Sequence, residues 1–453
     1  MSALNEILAL THDPDPYRNA PSNLAEMQLE AARERFAEHR RSIRVLDRRA
    51  KDAGTTEIRS LADLVPLLFV HTNYKSYPES FIDKGQWKSM TLWLQTLTSR
   101  PVEGANLDDV RDADDWLARL DAVGHHLFTS SGTSGKASFL DQSAADVEVS
   151  AAAYHVGFAR SNHLFEADHS RVSFCVMPAT GTHRLCAPSA AYFTKIARPG
   201  EVHHLSTEPL RIGPSIRAGQ LRRAIGAGTA TPGEIVAHEA DVAARQNKAA
   251  DAFDAFVTLI HERRHEPMAM GLMWKQAYDI MQALRARGVQ DGAFSPGMLL
   301  MLGGGLKGVT LPADHREQIR RFYRLGARQT GNTYAMTEMT GLSPYLPWLD
   351  GYAFPPWVVP LVLDKAGEVL LNPARGGIVE GRMALYDLAS DARWGGLISG
   401  DKVTVDFSDA GDGLRVPLVR SIARYADLEE GEDKLTCAGT IDSYVRGAVP
   451  VAA

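Results

Sequence analysis

The residues between positions 127 and 138 are of the types that hold a polyphosphate. After an apolar start they run Ser130, Ser131, Gly132, Thr133, Ser134, Gly135 and Lys136. Glycines let backbone N–H groups crowd around an anion, hydroxyls add hydrogen-bond donors, and the lysine adds positive charge. The spacing is not that of a Walker A loop, because Ser130 and Ala137 stand where glycine and a hydroxyl residue are needed. We predict a phosphate-binding loop; a flexible surface turn is the alternative.

A glycine triplet and an aromatic side chain further along the chain suit a flat ligand. Gly303, Gly304 and Gly305 follow the apolar run 298–302. Residues without a Cβ permit close approach of a ring such as adenine, and Tyr334 offers a second ring that can stack on it. We predict that these four residues contact a nucleotide base.

Three polar residues after the triplet can complete a nucleotide site. Thr337 can reach a phosphate oxygen, and Glu338 offers the hard oxygen ligands that Mg²⁺ prefers. Asp401, which follows Ser399-Gly400, offers a carboxylate that can accept hydrogen bonds from both ribose hydroxyls. The segments therefore predict, in chain order, sites for phosphate, base, metal and ribose.

Their content and order resemble the adenylate-forming superfamily, which includes acyl-CoA synthetases, peptide-synthetase adenylation domains and luciferases. Residues 130–138 resemble its phosphate loop, Ser/Thr-Ser-Gly-Ser/Thr-Ser/Thr-Gly-x-Pro-Lys. Residues 334–338 resemble its Tyr-Gly-x-Thr-Glu motif, 400–401 its Thr-Gly-Asp, and 439–442 its hinge motif Gly-Arg-x-Asp. The resemblance covers about residues 60 to 447.

Within the superfamily, one branch resembles this chain most. The Gly-Gly-Gly-Leu-Lys run at 303–307 and the early end of the chain are most similar to the acyl-protein synthetases of bacterial bioluminescence, with phenylacetate-CoA ligases next. In those synthetases a cysteine after an Arg-Gly pair accepts the acyl group, but here Ala448 follows Arg446-Gly447. Acyl transfer through the enzyme's own cysteine is therefore not expected.

The resemblance implies a two-step reaction of an organic carboxylic acid. The carboxylate attacks the α-phosphorus of ATP, pyrophosphate leaves, and the resulting acyl-AMP passes its acyl group to an external acceptor: a carrier-protein thiol, CoA, an amine or a reductase partner. ATP and Mg²⁺ are the implied cofactors. The resemblance implies that Thr133, Ser134 and Lys136 contact the phosphates. Glu338 is implied to bind the metal and, with Thr337, to take part in catalysis. Lys307 is implied to place a cation near the α-phosphate or the substrate carboxylate.

The sequence departs from the family pattern at three places. Residues 137–138 replace the proline and lysine of the loop with Ala and Ser, and Thr440 replaces the hinge arginine. The chain ends shortly after Asp442. The resemblance therefore implies that the family's C-terminal domain, which carries the catalytic lysine of the second step, is absent.

The alternation of strand-like and helix-like segments predicts an α/β fold with a smaller β-rich lobe. The resemblance implies the fold of the large N-terminal domain of acyl-CoA synthetases, with mixed sheets and packed helices and no C-terminal lid domain. Buried strands are expected at 172–177 and 298–302, and helices at 23–53, 251–265 and 274–287. The expected divisions are a helical segment 1–120, an α/β core 121–355 that binds nucleotide and substrate, and a β-rich lobe 356–453. Residues 219–233 are expected to form a surface loop. By the resemblance, residues 176–182 and 267–274 fall where the family lines its acyl pocket; ordinary core residues are the alternative.

Composition narrows the class of protein further. The net charge of −6 argues against a general nucleic-acid binder. No run approaches the roughly 20 apolar residues that span a bilayer, so no membrane partner is expected. Three cysteines in 453 residues fit a reducing compartment, and we expect a cytoplasmic enzyme.

Two alternatives come from other classes. Residues 261–265 read His-Glu-Arg-Arg-His, which matches the zinc-binding HExxH pattern when both histidines share a helix face. Charged Arg263 and Arg264 within the pattern and Pro267 after it disfavour a metalloprotease. The other alternative is a degenerate nucleotide-binding module that scaffolds partners through the helix predicted at 23–53.

Overall fold

The structure is a computed structural model, and it describes residues 2–70, 72–130, 136–162, 168–303, 310–326, 329–373 and 376–425. In this part of the chain the α-helices are α1 (Ala3–Ala9), α2 (Pro16–Asn19), α3 (Leu24–Ser42), α4 (Arg44–Asp52), α5 (Glu79–Asp83), α6 (Trp87–Gln95), α7 (Ala113–Asp121), α8 (Ala144–Asn162), α9 (Cys186–Ile196), α10 (Gly213–Gly226), α11 (Pro232–Arg263), α12 (Trp274–Ala286) and α13 (His315–Phe322).

The β-strands of the described residues are β1 (Phe69–Val70), β2 (Phe128–Thr129), β3 (Phe139–Leu140), β4 (Arg171–Cys175), β5 (Ala197–His204), β6 (Met268–Met273), β7 (Leu299–Gly303), β8 (Thr330–Tyr334), β9 (Ser343–Leu346), β10 (Gly351–Ala353), β11 (Val358–Leu363), β12 (Ile378–Asp387), β13 (Gly396–Asp406) and β14 (Leu418–Arg424). Helices and strands alternate through the middle of the chain, so the predicted α/β class is confirmed.

The chain divides into two compact units. The described residues of the first lie within Met1–Ala153, Met336–Gly341 and Leu349–Ala453, and those of the second within Tyr154–Ala335 and Leu342–Trp348. The β-rich last part of the chain therefore packs in one unit with the N-terminal helices.

The first unit is built on an antiparallel sheet in the order β11-β12-β13-β14-β10, to which β1 adds as a parallel partner of β13. Helix α3 packs on it: the ring of Phe36 meets that of Trp394 edge-on at 6.2 Å. The helix predicted at 23–53 is two helices, because the backbone turns extended at Ile43 (φ −91°, ψ 102°) between α3 and α4. Phe36, Ile43 and Ala50 are all buried, which confirms an amphipathic segment that packs on its own core.

The second unit is a sheet in the order β9-β8-β7-β6-β4-β5, parallel from β8 to β5. The predicted strands at 172–177 and 298–302 are β4 and β7, and the helix predicted at 274–287 is α12. Alternate strand residues face two cores: Val172, Met268, Met270 and Leu300 pack with α11 to α13, whereas Cys175, Ala269 and Met301 pack with α9 and the end of α8. A parallel sheet buried on both faces explains these continuous apolar runs.

The prediction of a surface loop at 219–233 is wrong. Residues 213–226 form α10, and α11 begins at Pro232. The side chains of Thr231 and Glu234 form a capping box at the start of α11, which stabilises a helix end where the glycine content had indicated a turn.

None of the helices in the described ranges is long and apolar enough to cross a membrane.

Gly395 provides a test of the packing at the turn between β12 and β13. A Cβ atom there would lie 2.0 Å from the backbone oxygen of Asp387. Because such a buried overlap forces the backbone to shift, Gly395→Ala should destabilise the protein by about 3 kcal/mol. Urea unfolding followed by circular dichroism measures the change. Gly226→Ala, at a helix end with no heavy atom within 4 Å, is the matched control and should not destabilise. Equal stability of both variants would contradict the packing described here.

Candidate functional site

The predicted phosphate loop lies at the tip of a β-hairpin in the first unit. Strands β2 and β3 pair antiparallel, with Thr129 opposite Phe139. Beyond them the Ser138 amide donates to the Ser130 hydroxyl (3.0 Å), and the Ser130 amide donates to the Ser138 carbonyl (3.3 Å). Residues 131–135 lie outside the described part. The hairpin therefore positions both ends of the predicted loop, at Ser130 and Lys136.

Tyr77 fixes the far end of that loop. The Lys136 ammonium donates to the backbone oxygen of Tyr77 and lies 4.3 Å from the centroid of its ring, which is a cation–π contact. The Tyr77 hydroxyl donates to the Ala137 carbonyl (2.9 Å), and its ring packs on those of Trp93 and Phe139 at 5.1 and 5.5 Å. Nothing local in the sequence marks Tyr77, which lies some sixty positions before the loop.

A buried ion pair closes the base of the hairpin. His125 Nδ1 lies 2.7 Å from Asp141 Oδ2, and Nε2 lies 3.2 Å from the Pro101 carbonyl. The Thr98 hydroxyl donates to the same carboxylate oxygen at 2.6 Å. Burial alone lowers the pKa of His125, but the hydrogen bond and the negative charge of Asp141 outweigh it and raise the pKa. The protonated imidazole is therefore favoured in the folded protein.

The segment with Thr337 and Glu338 is held by a buried turn between β12 and β13. Arg393 Nη2 donates to the Glu338 carbonyl (2.8 Å) and lies 3.9 Å from Asp387 Oδ2. Asp387 Oδ2 also accepts from the Thr340 amide (2.8 Å). Both Arg393 and Asp387 are buried, so the backbone around Glu338 is fixed by charged hydrogen bonds out of contact with water.

Thr337 and Glu338 are half-buried. The geometry around them therefore places the predicted metal ligand on a rigid backbone with its side chain still within reach of solvent.

Asp401 lies within β13, opposite Arg424 of β14. Its amide donates to the Ser399 hydroxyl (3.1 Å), and its Oδ1 lies 4.0 Å from Arg424 Nε. The Asp401 side chain is 16% exposed, which leaves part of the carboxylate available to a ligand.

The second unit brings together the predicted base-binding residues Gly303 and Tyr334. They end the neighbouring parallel strands β7 and β8, whose register pairs Leu302 with Asn332. Among the described residues, the heavy atom nearest to a Cβ atom on Gly303 would be Thr333 Oγ1 at 3.9 Å. Gly304, Gly305 and Lys307 lie outside the described part.

The carboxyl ends of β4 and β6 form the point at which the strand order of this sheet reverses. The chain moves from β4 outward to β5 and then returns to β6 on the other side of β4. Ligands of open α/β sheets bind outside the carboxyl ends of the strands at such a point. Residues 176–182, predicted to line the acyl pocket, follow β4 directly.

The segment after β4 is held in place by Leu210. The Thr182 amide donates to the Leu210 carbonyl (2.9 Å), and the Leu210 amide donates to the Thr180 carbonyl (3.0 Å). A Cβ atom on Gly181, whose φ is +138°, would lie 2.5 Å from the Leu210 backbone. Glycine is therefore required for the two segments to pair.

The other predicted pocket wall is mostly core. Met268, Met270 and Trp274 are buried in the cluster against α11 to α13, whereas Met273, at the carboxyl end of β6, is 40% exposed. A pocket at this edge of the sheet therefore has Met273 available to it.

The zinc alternative is not supported. Helix α11 ends at Arg263, so His265 lies beyond the helix and does not share a helical face with His261. Across the described ranges, no group of three or more His, Cys, Asp or Glu residues could hold a metal ion. Arg263 instead pairs with Glu266 and with Glu201 (3.0 Å).

The His125–Asp141 pair predicts a specific dependence of stability on pH. Because the pKa of His125 is raised on folding, its contribution is complete below the unfolded pKa of about 6.5 and is lost as pH rises through the folded pKa. The difference in unfolding free energy between the wild type and His125→Gln should therefore be larger at pH 5.5 than at pH 9, measured by urea unfolding. Arg40→Gln, which alters a half-buried ion pair with Asp47, is the control. A difference that grows with pH would contradict the raised pKa.

Solved structures of one enzyme share this fold. A crystal structure of 2-hydroxyisobutyryl-CoA ligase in the postadenylation state superposes with a TM-score of 0.56 at 13% sequence identity, over 91% of this chain and 70% of that chain. A second, in the same state with 2-HIB-AMP, gives 0.55 at 14% over 89% and 68%. An open conformation with 2-HIB-AMP and CoA gives 0.53 at 13% over 91% and 72%.

No protein-family model and no curated protein matches the sequence. The structural likeness confirms the fold that the resemblance to the adenylate-forming superfamily predicted: the chain folds as an acyl-CoA ligase does over the matched residues.

Proposed function

We propose that this chain is an adenylate-forming ligase. A carboxylate oxygen of an organic acid attacks the α-phosphorus of ATP, the bond from that phosphorus to the bridging oxygen of pyrophosphate breaks, and acyl-AMP forms. The protein's contribution is positioning and stabilisation of charge, as in other reactions at phosphorus. The acyl group then passes to an external acceptor, with release of AMP.

The observation that carries the proposal is the position of Gly303 and Tyr334. The sequence predicts that both contact a nucleotide base, and they end adjacent strands of a parallel sheet. Such sheets bind ligands at the carboxyl ends of their strands. The lack of a side chain at Gly303, with no described heavy atom closer than 3.9 Å to a Cβ atom there, supports close approach of adenine, and Tyr334 is assigned to stacking on it.

The remaining assignments come from the sequence motifs. Lys136, at the end of the hairpin loop, is assigned to the β- and γ-phosphates together with residues 130–135, and Asp401 to the ribose hydroxyls. Thr337 is assigned to a phosphate oxygen. Lys307 keeps its sequence-based assignment to the α-phosphate or the substrate carboxylate.

Glu338 fits Mg²⁺ better than it fits a metal held by protein alone. In the part of the chain that the structure describes, no cluster of three or more metal-ligating side chains is present. Mg²⁺ characteristically takes one or two carboxylates and completes its coordination with substrate phosphates and water. When bound, the ion would offset the negative charge of the phosphates.

The acid is proposed to bind outside the carboxyl ends of β4 and β6, between residues 176–182 and Met273. The acceptor classes are a carrier-protein thiol, CoA, an amine or a reductase. The resemblance to acyl-protein synthetases favours an acceptor that is itself a protein.

The proposal is tested by ATP–pyrophosphate exchange across a panel of carboxylic acids. The wild type should exchange label with at least one acid, and Glu338→Gln should lower the rate at least a hundredfold, since removal of one charge-stabilising group costs about that much. Glu26→Gln, at an exposed position of α3, should leave the rate unchanged. Formation of ADP with no exchange for any acid would overturn the proposal. Exchange at the wild-type rate in Glu338→Gln would show that Glu338 does not have the assigned role, and no exchange together with no ADP would favour a degenerate nucleotide-binding scaffold.

Tyr334 gives an independent test of the adenine site. Tyr334→Leu should raise the KM for ATP about tenfold in the exchange assay, because base–aromatic stacking is worth roughly 1–3 kcal/mol, and should leave the KM for the acid unchanged. Tyr334→Phe keeps the ring and serves as the matched control with a near-wild-type KM. Equal effects of both substitutions would show that stacking is not the role of this side chain.

A further inference from the structure

The second unit contains a connection far longer than its sheet needs. Between β5 and β6 the chain runs through residues 205–267, which is 63 residues, whereas the β4–β5 and β6–β7 connections have 21 and 25. A crossover between parallel strands needs about a dozen residues. Long ordered insertions in surface connections are where binding functions concentrate.

Most of the insertion does not cover the sheet. Helix α11 has 32 residues, so it is about 48 Å long. Its buried residues, Phe256, Val257 and Ile260, all lie near its C-terminal end. Every side chain from 232 to 255 is exposed or half-buried, and α10 buries only Gly213 and Gly219. We call residues 213–255 the arm.

One side of α10 has the composition of a protein-binding surface. At 100° per residue, Arg217, Leu221, Ile225 and Arg222 fall in that order within one 140° sector. Ile225 is 51% exposed, Leu221 is half-buried, and both arginines are exposed. Arginines flanking an aliphatic centre are typical of residues that dominate the energy of protein–protein interfaces. We call these four residues the docking face.

Among the described residues, no acidic side chain pairs with the arginines of this face. Helix α10 contains three arginines and no acidic residue. Within the described residues, Arg217 and Arg222 form no ion pair; Arg222 donates only to the Ala218 carbonyl (3.3 Å). In a protein with a net charge of −6, a basic face of this kind selects an acidic partner.

Acidic groups elsewhere on the arm are largely engaged. Glu234 caps α11, and Asp241 pairs with Arg245 (2.9 Å). Glu208, just before the arm, pairs with Lys248. Helix α11 also carries Glu239 and Asp251, whereas α10 has no acidic residue. The basic side of the arm is therefore α10.

The arm is joined to the segment after β4. Leu210, three residues before α10, forms the backbone hydrogen bonds with Thr180 and Thr182 described above. A partner on the docking face is therefore held on the same connection that borders the carboxyl ends of β4 and β6.

We propose that the docking face binds an acidic carrier protein that receives the acyl group. This inference rests on the proposed function, because it assigns the acceptor of the second step. The arginines speed encounter with the carrier and orient it, and Ile225 with Leu221 supplies the apolar centre of the contact.

The experiment uses the full chain and a phosphopantetheinylated acyl carrier protein as the probe. Arg217→Glu/Arg222→Glu should raise the Kd for the carrier, measured by calorimetry, at least tenfold at low ionic strength, and the effect should shrink in 0.5 M salt because charge interactions are screened. ATP–pyrophosphate exchange should stay at the wild-type rate, since the face holds no residue assigned to the nucleotide or the acid. Failure of exchange in the wild type would count against the proposed function; a carrier that binds equally to both proteins would count against this inference alone.

Two further variants sharpen the result. Lys84→Glu/Arg320→Glu changes the net charge by the same amount at exposed positions outside the arm and should bind the carrier like the wild type. Ile225→Ala should weaken binding about threefold with little dependence on salt, as expected for an apolar contact. The inference would be overturned if the wild type did not bind the carrier, or if the control pair weakened binding as much as the docking-face pair. It would also be overturned if the docking-face substitutions abolished single-stranded DNA binding or self-association and left carrier binding unchanged.

Discussion

The buried turn between β12 and β13 is the constraint on which the first unit depends. It carries Asp387 and Arg393 into the interior, and a buried charge is tolerated only when it is paired and fully hydrogen-bonded. The turn meets that condition through partners from α3, from Thr98, from Asp146 and from residues 338–340. These polar contacts fix the four segments around the turn.

The individual contacts show how far the constraint extends. Asp146 of α8 accepts from the amides of Asp391 and Ala392 at 2.7 and 2.8 Å. Burial raises the pKa of Asp146, and those hydrogen bonds oppose the rise. From α3, His39 donates to the Asp391 carbonyl (2.8 Å), with its pKa lowered by burial to about 3, so the ring is neutral.

The same turn links the hairpin to the Glu338 segment. Thr98 donates both to Asp141, at the base of the hairpin, and to the Ala392 carbonyl (3.0 Å). Arg393 then holds the Glu338 carbonyl. One polar network therefore holds both the hairpin of the predicted phosphate loop and the backbone of the predicted metal ligand. A site that stabilises charge requires such fixed positions.

Local sequence patterns predicted the elements that local physics determines. The apolar runs of β4 and β7 and the helical period of α12 indicated those elements because burial on both faces of a parallel sheet leaves a direct compositional signature. The break at Ile43 was not visible, since the apolar period continues through it. The arm was missed because Gly219 and Gly233 read as turn residues.

The sequence proposes candidate site residues but not what supports them. Ser130, Lys136, Gly303, Tyr334, Glu338 and Asp401 belong to contiguous motifs, so chemistry and spacing make them candidates. Tyr77, Asp146 and Arg393 carry no local signature, because each acts through partners about 55 to 245 positions away. Only the folded chain shows that they hold the motif residues in place.

The central claim, attack of a carboxylate on the α-phosphorus of ATP, is tested most directly with an acid labelled with ¹⁸O in both carboxylate oxygens. After turnover with an acceptor, mass spectrometry should find one labelled oxygen in AMP, because the oxygen that bonds to phosphorus stays with it when the acyl group leaves. Label in inorganic phosphate formed together with ADP would show attack on the γ-phosphorus, and unlabelled AMP would show that no acyl-adenylate forms; either result would contradict the account.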